Sequence, residues 1–295
     1  MKNYRKIFAL GFFDGVHLGH QALLRQCAAL AQQMDAKPAA ITFQNHPAAA
    51  FTTQYPPLLT TLSDRKALLR AFGMEDVLAL PTAKEVMSTN WRDFLERLLS
   101  QGAVGFVCGY DFRFGHKGEG NAEKLDAFCR ERGLPCVIVQ EQTMDGVRIS
   151  STYIRTLIEA GNMETADQFL GHPHVLSGQV VPGRHIGRTI GVPTANILLP
   201  ADVVVPKLGV YACRCRIGEE SYCAVTNIGS RPTVGGHQVR AESWILDFSG
   251  ELYGKEITLE FCHFLRPEQK FDSLAQLQGE IQKNALQTRK FFEKI

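Results

Sequence analysis

The feature that most constrains this chain is a change of pattern partway along it. From Lys6 to Val139 short apolar runs alternate with stretches of helical periodicity, whereas beyond Gly161 glycine and proline punctuate β-branched and aromatic segments. The first pattern is that of a parallel sheet with crossover helices, whose strands are buried on both faces and read as continuous apolar runs. Strands are expected at Ile7 to Leu10, Ala39 to Phe43, Val77 to Leu80, Val104 to Val107 and Cys136 to Val139. Helices are expected between them: Gln21 to Gln33 with its Leu23, Leu24, Cys27, Leu30 stripe; Asp64 to Phe72, capped by Ser63 and stopped by Gly73; Trp91 to Leu99; and Ala122 to Arg132 before Gly133. The second pattern predicts an antiparallel barrel or sandwich with strands in Val210 to Ile217, Tyr222 to Asn227, Ser243 to Phe248 and Ile257 to Phe264. A terminal helix opens on a capping box, Ser273 with Gln276, and Leu274, Leu277 and Ile281 would pack it on the strands. With 295 residues the chain is expected to form two domains, an α/β domain over 1–172 and a β domain over 173–295.

Composition narrows the function classes. A net charge of +2 lacks the excess basicity of an electrostatic nucleic-acid binder, so an anionic ligand has to be gripped locally. Neither a signal-peptide core nor an apolar stretch of membrane-spanning length is present, and the eight cysteines form no CxxC pair, which reads as reduced thiols in a cytoplasmic protein. Small-molecule partners are expected, with neither nucleic acid nor membrane, and a homo-oligomer is compatible with the sequence.

Two clusters in the first half carry chemistry. Gly11-Phe-Phe13-Asp14-Gly-Val-His17-Leu-Gly19-His20 sits where the first strand hands over to the first helix, and a helix N-terminus offers free amides and a positive dipole end to phosphate oxygens. Glycines let a nucleotide approach the backbone, and His17 and His20, three apart, can face one triphosphate and stabilise charge building up at an α-phosphorus. After the fifth strand comes Arg148-Ile-Ser-Ser151-Thr152-Tyr-Ile-Arg155, hydroxyls at a helix start flanked by two arginines suited to a leaving pyrophosphate. Neither GxGxxG nor the P-loop GxxxxGK[ST] occurs, and Gly250 to Lys255, a near match, reads as a hairpin turn.

The second half holds Gly183-Arg-His-Ile-Gly187-Arg188-Thr-Ile-Gly191-Val-Pro-Thr194-Ala-Asn196, a glycine-rich flap with positive charge followed by two oxygen-bearing residues at alternate positions. Alternate residues of an extended segment share a face, so Thr194 and Asn196 can offer two ligands to Mg²⁺, which keeps waters and phosphate oxygens for the rest. Glu242, alternating with apolar residues, is the candidate base.

GFFDGVHLGH together with RISSTYIR resembles the N-terminal module of bacterial bifunctional riboflavin kinase/FMN adenylyltransferases. The resemblance implies a Rossmann-like nucleotidyltransferase domain with ATP on Gly11, Phe13, Asp14, His17, Gly19, His20, Arg148, Ser151, Thr152 and Arg155. Thr42 to Pro47 resembles the family's TFxPHP and Gly109 to Gly115 its GxDFxFG, which implies flavin near His46, Pro47 and Asp111. IGRTIGVPTANI, Asn227 to Thr233, AESWILDFSGELYG and Leu265 to Phe271 follow in the order of the family's kinase module, a six-stranded barrel with a C-terminal helix. There the resemblance implies ATP on Gly187, Arg188, Gly191, Thr194 and Asn196, Mg²⁺ on Thr194 and Asn196, Glu242 as general base and Arg266 near the flavin. Gln44 and Asn45 replace the usual Asp-Pro pair, Val192 and Trp244 stand where relatives carry Phe and His, and Asn284 replaces a common Asp.

The expected function is therefore conversion of riboflavin and ATP to FMN and ADP in the C-terminal domain, then of FMN and ATP to FAD and pyrophosphate in the N-terminal one. The rival on the Gln44-Asn45 departure is a monofunctional riboflavin kinase with an impaired N-terminal module. A flavin sensor has no need of a base at Glu242, and an enzyme built on the HxGH module alone leaves the β domain unexplained.

Overall fold

Ile7 and Ala9 face one way from β1 (Lys6–Leu10), Phe8 and Leu10 face the other, and all four are buried. The computed structural model, which describes residues 5–183, 191–233 and 236–294, divides into two compact units, Met1–Leu58 with Leu62–Ser151 and Leu59–Thr61 with Thr152–Ile295. In chain order the first runs β1, α1 (Leu18–Gln33), β2 (Lys37–Phe43), α2 (Leu62–Ala71), β3 (Asp76–Leu80), the single turn α3 (Lys84–Met87), α4 (Trp91–Ser100) and β4 (Ala103–Gly109). It continues through a small hairpin of β5 (Arg113–Phe114) and β6 (Gly120–Asn121), α5 (Ala122–Arg132), β7 (Cys136–Val139) and a second hairpin of β8 (Thr143–Met144) and β9 (Val147–Arg148).

The five long strands form a parallel sheet in the order β3-β2-β1-β4-β7. On one face Leu23, Leu24 and Cys27 of α1 and Leu69 of α2 pack on Ile7, Ala9 and Ala40; on the other Leu95 and Leu98 of α4 and Leu125 and Phe128 of α5 pack on Phe8, Leu10, Ile41 and Phe106. Burial on both sides explains the unbroken apolar runs of the sequence. Helix α5 shows both terminal signals, Asn121 accepting the Lys124 amide at 2.9 Å and Gly133 closing it with φ 65°. The chain order reverses between β1 and β4, so the crevice at the carboxyl ends of these strands is where such sheets take ligands.

The second unit contains α6 (Ser151–Ala160) from Thr152 onward and α7 (Met163–Leu170), then β10 (His174–Gln179), β11 (Ala195–Leu198), β12 (Gly209–Ile217), β13 (Glu220–Thr233), β14 (Gly236–Ile245), β15 (Glu256–Pro267) and α8 (Leu274–Phe292). The strands make an antiparallel sheet in the order β10-β15-β12-β13-β14-β11. Its outer strands curl toward each other: the Val181 amide donates to the Asn196 carbonyl at 2.9 Å, giving a nearly closed barrel. Ala241, Ser243, Thr226, Ile228, Tyr211 and Phe261 are buried, and the Thr226 and Ser243 hydroxyls satisfy one another at 2.9 Å. Helix α8 packs Ala285 on Val210, Val225, Leu246 and Trp244, opened by Ser273 accepting from the Gln276 amide at 3.2 Å.

Several local expectations change: Ser63 lies inside α2 rather than capping it, and Leu274, expected to pack α8 on the strands, is exposed. The strand expected over Ser243 to Phe248 begins instead at Gly236 and ends at Ile245, because Asp247 turns left-handed, φ 61°, where its carboxylate receives both Arg289 guanidinium nitrogens at 2.7 and 2.9 Å. Gly250 to Lys255 is not a hairpin turn: it joins β14 to β15, which β12 and β13 separate in the sheet.

Barrel closure is tightest at Gly178, where a Cβ would lie 2.3 Å from Cγ2 of Ile197. Gly178→Ala is expected to destabilise this unit by about 1–3 kcal/mol through overpacking. Urea unfolding would measure it, with Ile197→Ala in the same chain expected to cost less than the two changes summed.

Candidate functional site

Backbone conformation shapes the loop after β1. Phe13 (φ 58°), Gly15 (φ 79°) and Val16 (φ 42°) are all left-handed, which is a strained arrangement for a β-branched residue and one that packing has to hold. Gln21 donates to the Val16 carbonyl at 3.0 Å, and Phe13, Asp14, Val16 and His17 are buried. Helix α1 begins three residues earlier than its apolar stripe suggests because His17 is its cap, Nδ1 accepting the His20 amide at 3.3 Å. A neutral His17 with Nδ1 as acceptor carries its proton on Nε2.

The His17 and His20 rings stack with centroids 3.6 Å apart and 13° between planes. Nδ1 of His20 is buried and meets no hydrogen-bond partner among the described residues. Burial first, then the facing His17 and then Arg65, hold the His20 imidazole well below the ordinary value of 6.5. The Ser151 hydroxyl donates to the Asp14 carbonyl at 3.0 Å, and the Ile149 carbonyl lies 3.8 Å from where a Cβ on Gly19 would be, so RISST meets the first loop. Gly11 is equally close-packed, a Cβ there falling 3.0 Å from the Phe13 ring.

Two residues expected on different ligands come together instead. Arg148 pairs with Asp111 at 2.6 Å and with Glu141 at 3.0 Å, and its guanidinium lies over the Tyr110 ring. All three side chains of this ion-pair group are about half exposed. Thr152 and Arg155 lie on α6 in the second unit, where Arg155 is buried.

In the segment expected near the flavin, His46 caps the 3-10 turn Pro47–Ala50, Nδ1 accepting the Ala48 amide at 3.1 Å, stacks on Tyr55 at 5.3 Å and meets Phe12 edge-on at 5.4 Å. The Gln44-Asn45 departure has a local compensation. Asn45 has the amide hydrogen that proline lacks and gives it to the Thr82 hydroxyl at 2.9 Å, while that hydroxyl returns a bond to the Asn45 carbonyl at 3.2 Å.

In the barrel, strand register aligns Asn196, Glu242 and Asn227 on three adjacent strands, and continues through Val210 to Arg266. This row alternates with the buried Ala195-Ser243-Thr226 and Ile197-Ala241-Ile228 rows, so it lies on the outer face, where α8 packs. Asn196 is buried; its Nδ2 donates to the Thr194 carbonyl at 3.4 Å and its Oδ1 has no donor among the described residues. Gly183 abuts it, a Cβ there falling 2.6 Å from Asn196 Nδ2. Gly191 is exposed in a left-handed turn, φ 73°, and Gly187 and Arg188 lie outside the described residues.

Arg266 donates through Nε to Asn284 Oδ1 at 3.2 Å, pairs with Glu280 at 3.4 Å and lies over Phe271, and burial holds its guanidinium below the ordinary value. Asn284, a departure with no role visible in the sequence, thus anchors Arg266 from α8. Trp244 and Val192 are packing residues here, Trp244 against the cluster under α8 and Val192 fully enclosed. Asn227 has no role legible in the sequence, since its neighbour Glu242 follows only from strand register, and Arg65 is not singled out there.

In the ligand-free protein His20 is expected to stay neutral as pH is lowered through about 6.5, where an ordinary histidine titrates. Since the unfolded chain takes up that proton and the folded one does not, His20 contributes a loss of stability as pH falls below about 6.5. Ring resonances followed by NMR are expected to hold still there; a midpoint near 6.5 would contradict the packing described.

A family model of FAD synthetases matches residues 1–153 and one of riboflavin kinases matches residues 170–292. The bifunctional riboflavin kinase/FMN adenylyltransferase of Listeria monocytogenes is 36% identical over 98% of this chain and 93% of its own length, and that of Escherichia coli K12 is 36% identical over 97% and 92%. A crystal structure from Streptococcus pneumoniae, described as a macrolide-efflux protein, matches with a TM-score of 0.85 at 30% identity, covering 97% of this chain and 94% of that one. Its name concerns that protein; among the described residues here no helix is long and apolar enough to cross a membrane. With both family models matched in tandem and relatives aligned along nearly their whole length, the chain belongs to the bifunctional riboflavin kinase/FMN adenylyltransferase family.

Proposed function

We propose that this chain converts riboflavin to FMN and FMN to FAD, consuming one ATP in each reaction. The observation that carries the double assignment is that each unit assembles its own set of motif residues: the stacked histidines with Ser151 in one, the Asn196-Glu242-Asn227 row in the other. A kinase with an impaired N-terminal module is not favoured, since the FAD synthetase model matches residues 1–153 alongside the kinase model over 170–292, and Thr82 holds the departing Asn45. The adenylyltransferase is assigned to residues 1–172 and the kinase to 173–295, in a cytoplasmic enzyme.

For phosphorylation, the ribityl 5'-oxygen attacks the γ-phosphorus of ATP, the bond to the bridging oxygen of ADP breaks, and Glu242 takes the hydroxyl proton. Catalysis is then mainly positioning and charge neutralisation. Thr194 and Asn196 would hold Mg²⁺: the buried, undonated Oδ1 of Asn196 suits a hard cation that keeps phosphate oxygens and waters as further ligands. Bound there, the cation would offset charge on the transferring phosphoryl group. Gly187, Arg188 and Gly191 are assigned to ATP, and Arg266, held by Asn284, to the flavin.

For adenylylation, an FMN phosphate oxygen attacks the α-phosphorus of ATP and pyrophosphate leaves with the electrons of the broken bond. His17 and His20, as neutral donors, stabilise charge on the α-phosphate, and Gly11, Phe13, Asp14, Gly19 and Ser151 shape the loop that receives the nucleotide. Arg148 serves pyrophosphate only after its pairs with Asp111 and Glu141 open, which couples the ATP side to Asp111 on the flavin side. His46 and Pro47 are assigned to the flavin. Thr152 and Arg155 keep their assignment to ATP from the motif alone.

Purified protein given riboflavin, ATP and Mg²⁺, with products followed by chromatography, is expected to yield FMN and FAD. His20→Ala is expected to yield FMN alone, with adenylylation down about 10²–10³-fold, and Glu242→Ala to yield FAD only when FMN is supplied. A folded wild type that forms FMN and never FAD would remove the N-terminal assignment; one that forms neither would remove both.

A further inference from the structure

Arg65 is the largest fully buried side chain among the described residues, and nothing in the two reactions above uses it. It projects from α2, and its Nη1 donates to three oxygens at 3.2 Å: the Phe12 carbonyl, the Thr42 hydroxyl and the Phe43 carbonyl. Thr42 also donates to the Phe12 carbonyl at 2.6 Å. Phe12 belongs to the nucleotide loop after β1, whereas Thr42 and Phe43 end β2 and lead into the flavin-side loop. The guanidinium lies 4.6 Å from the centre of the Phe12 ring, which in turn meets Phe43 at 6.5 Å and His46 at 5.4 Å. One cation is therefore joined to the backbone of the nucleotide loop, to the end of β2 from which the flavin-side loop leaves, and to the aromatic ring between them.

A cation enclosed by protein is costly unless hydrogen bonds replace its lost water, and here those bonds go to the loop after β1 and to the carboxyl end of β2, from which the next loop leaves. We propose that Arg65 is a positioning residue of adenylyl transfer, locking the nucleotide loop to the flavin loop so that the FMN phosphate meets the α-phosphate of ATP in line. The inference rests on the assignment of adenylylation to the first unit. Arg65 touches neither substrate. It acts through the carbonyls of Phe12 and Phe43 and through the Phe12 ring, and it faces His20 closely enough to oppose a second positive charge there.

The geometry also says which replacement should serve. Three acceptors surround a single nitrogen, and an ammonium carries three hydrogens, so lysine suits this site although it cannot reproduce a guanidinium fork elsewhere. Arg65→Met keeps length and apolar bulk and removes the charge and all three bonds.

The test uses the full chain, with initial rates of FMN adenylylation at varied ATP and varied FMN, riboflavin phosphorylation as a parallel rate, and amide hydrogen exchange of β1 and β4 as the report on folding. In Arg65→Met, kcat/KM for adenylylation is expected to fall about a hundredfold, with KM raised for both substrates, since reacting groups displaced by about 1 Å lose rate on that scale. Phosphorylation is expected to be unchanged and β1 and β4 to stay protected, and Arg65→Lys is expected to recover adenylylation to within about fivefold of wild type. A Met variant with wild-type kcat/KM overturns the proposal. So does a folded Met variant whose kcat falls at unchanged KM and which lysine does not rescue, because that pattern is a loss of active molecules. Should the Met variant lose strand protection, Thr42→Val decides: it keeps the cation and removes one acceptor and the hydroxyl's bond to Phe12. A loss of about tenfold or more in adenylylation with protected strands then supports the proposal, and wild-type kinetics overturns it. A wild type that makes FMN but no FAD removes the parent assignment, whereas a wild type and a Met variant that make FAD equally well remove this inference alone.

Discussion

At the carboxyl end of β1 the backbone leaves a sheet that is buried on both faces, and its polar groups need partners within the protein. The Phe12 carbonyl takes the Thr42 hydroxyl and the Arg65 guanidinium, the Val16 carbonyl takes Gln21, and the Asp14 carbonyl takes Ser151. Each bond closes the loop onto a different element, which is how three left-handed residues, one of them a valine, persist between Phe13 and Val16. The start of α1 follows directly: with the turn completed by Val16, His17 is left extended at φ −62° and ψ 171°, free to cap the helix with its own ring. The face that the two imidazoles share is thus a product of loop closure more than of helical spacing.

Much of this was legible beforehand. The parallel sheet announced itself through apolar runs lacking alternation, since β1 and β2 pack helices on either face, and Gly133 and Ser273 stand where the helix signals put them, whereas Ser63 falls inside its helix. The motif loops appear at the ends of β1, β2 and β4 because parallel strands bring their carboxyl ends to one edge. What stayed hidden depends on partners distant in sequence. Arg65 sits in Leu-Ser-Asp-Arg-Lys, where nothing local marks it out; only the tertiary fold turns that residue inward. The early start of β14 and the neighbours of Glu242 required strand pairing, which alternation alone leaves undetermined by one residue. His17 was expected to be a ligand donor on the first helical turn, whereas the structure gives one of its nitrogens to the helix cap.

The departures from family pattern divide by the physics that absorbs them. Asn45 gains an amide hydrogen and Thr82 is placed to receive it, so a hydroxyl restrains the loop where a pyrrolidine ring would otherwise do so. Asn284 keeps an acceptor oxygen toward Arg266 without the full charge of an aspartate, and Glu280 supplies that charge one helical turn earlier. Trp244 fills space beneath α8, where shape matters and chemistry does not.

The position of the Asn196, Glu242, Asn227 row on the outside of the barrel has a wider consequence. Residues that fill the barrel, such as Ile228, Tyr211 and Phe261, belong to the alternate rows and share no face with it. Enzymes whose reactive groups sit inside their own core trade robustness against turnover, because every repacking disturbs the chemistry. Here the row and the packed interior occupy opposite sides of the same strands. The interior can therefore drift, or be redesigned for heat resistance, without touching the face that carries Asn196, Glu242 and Asn227.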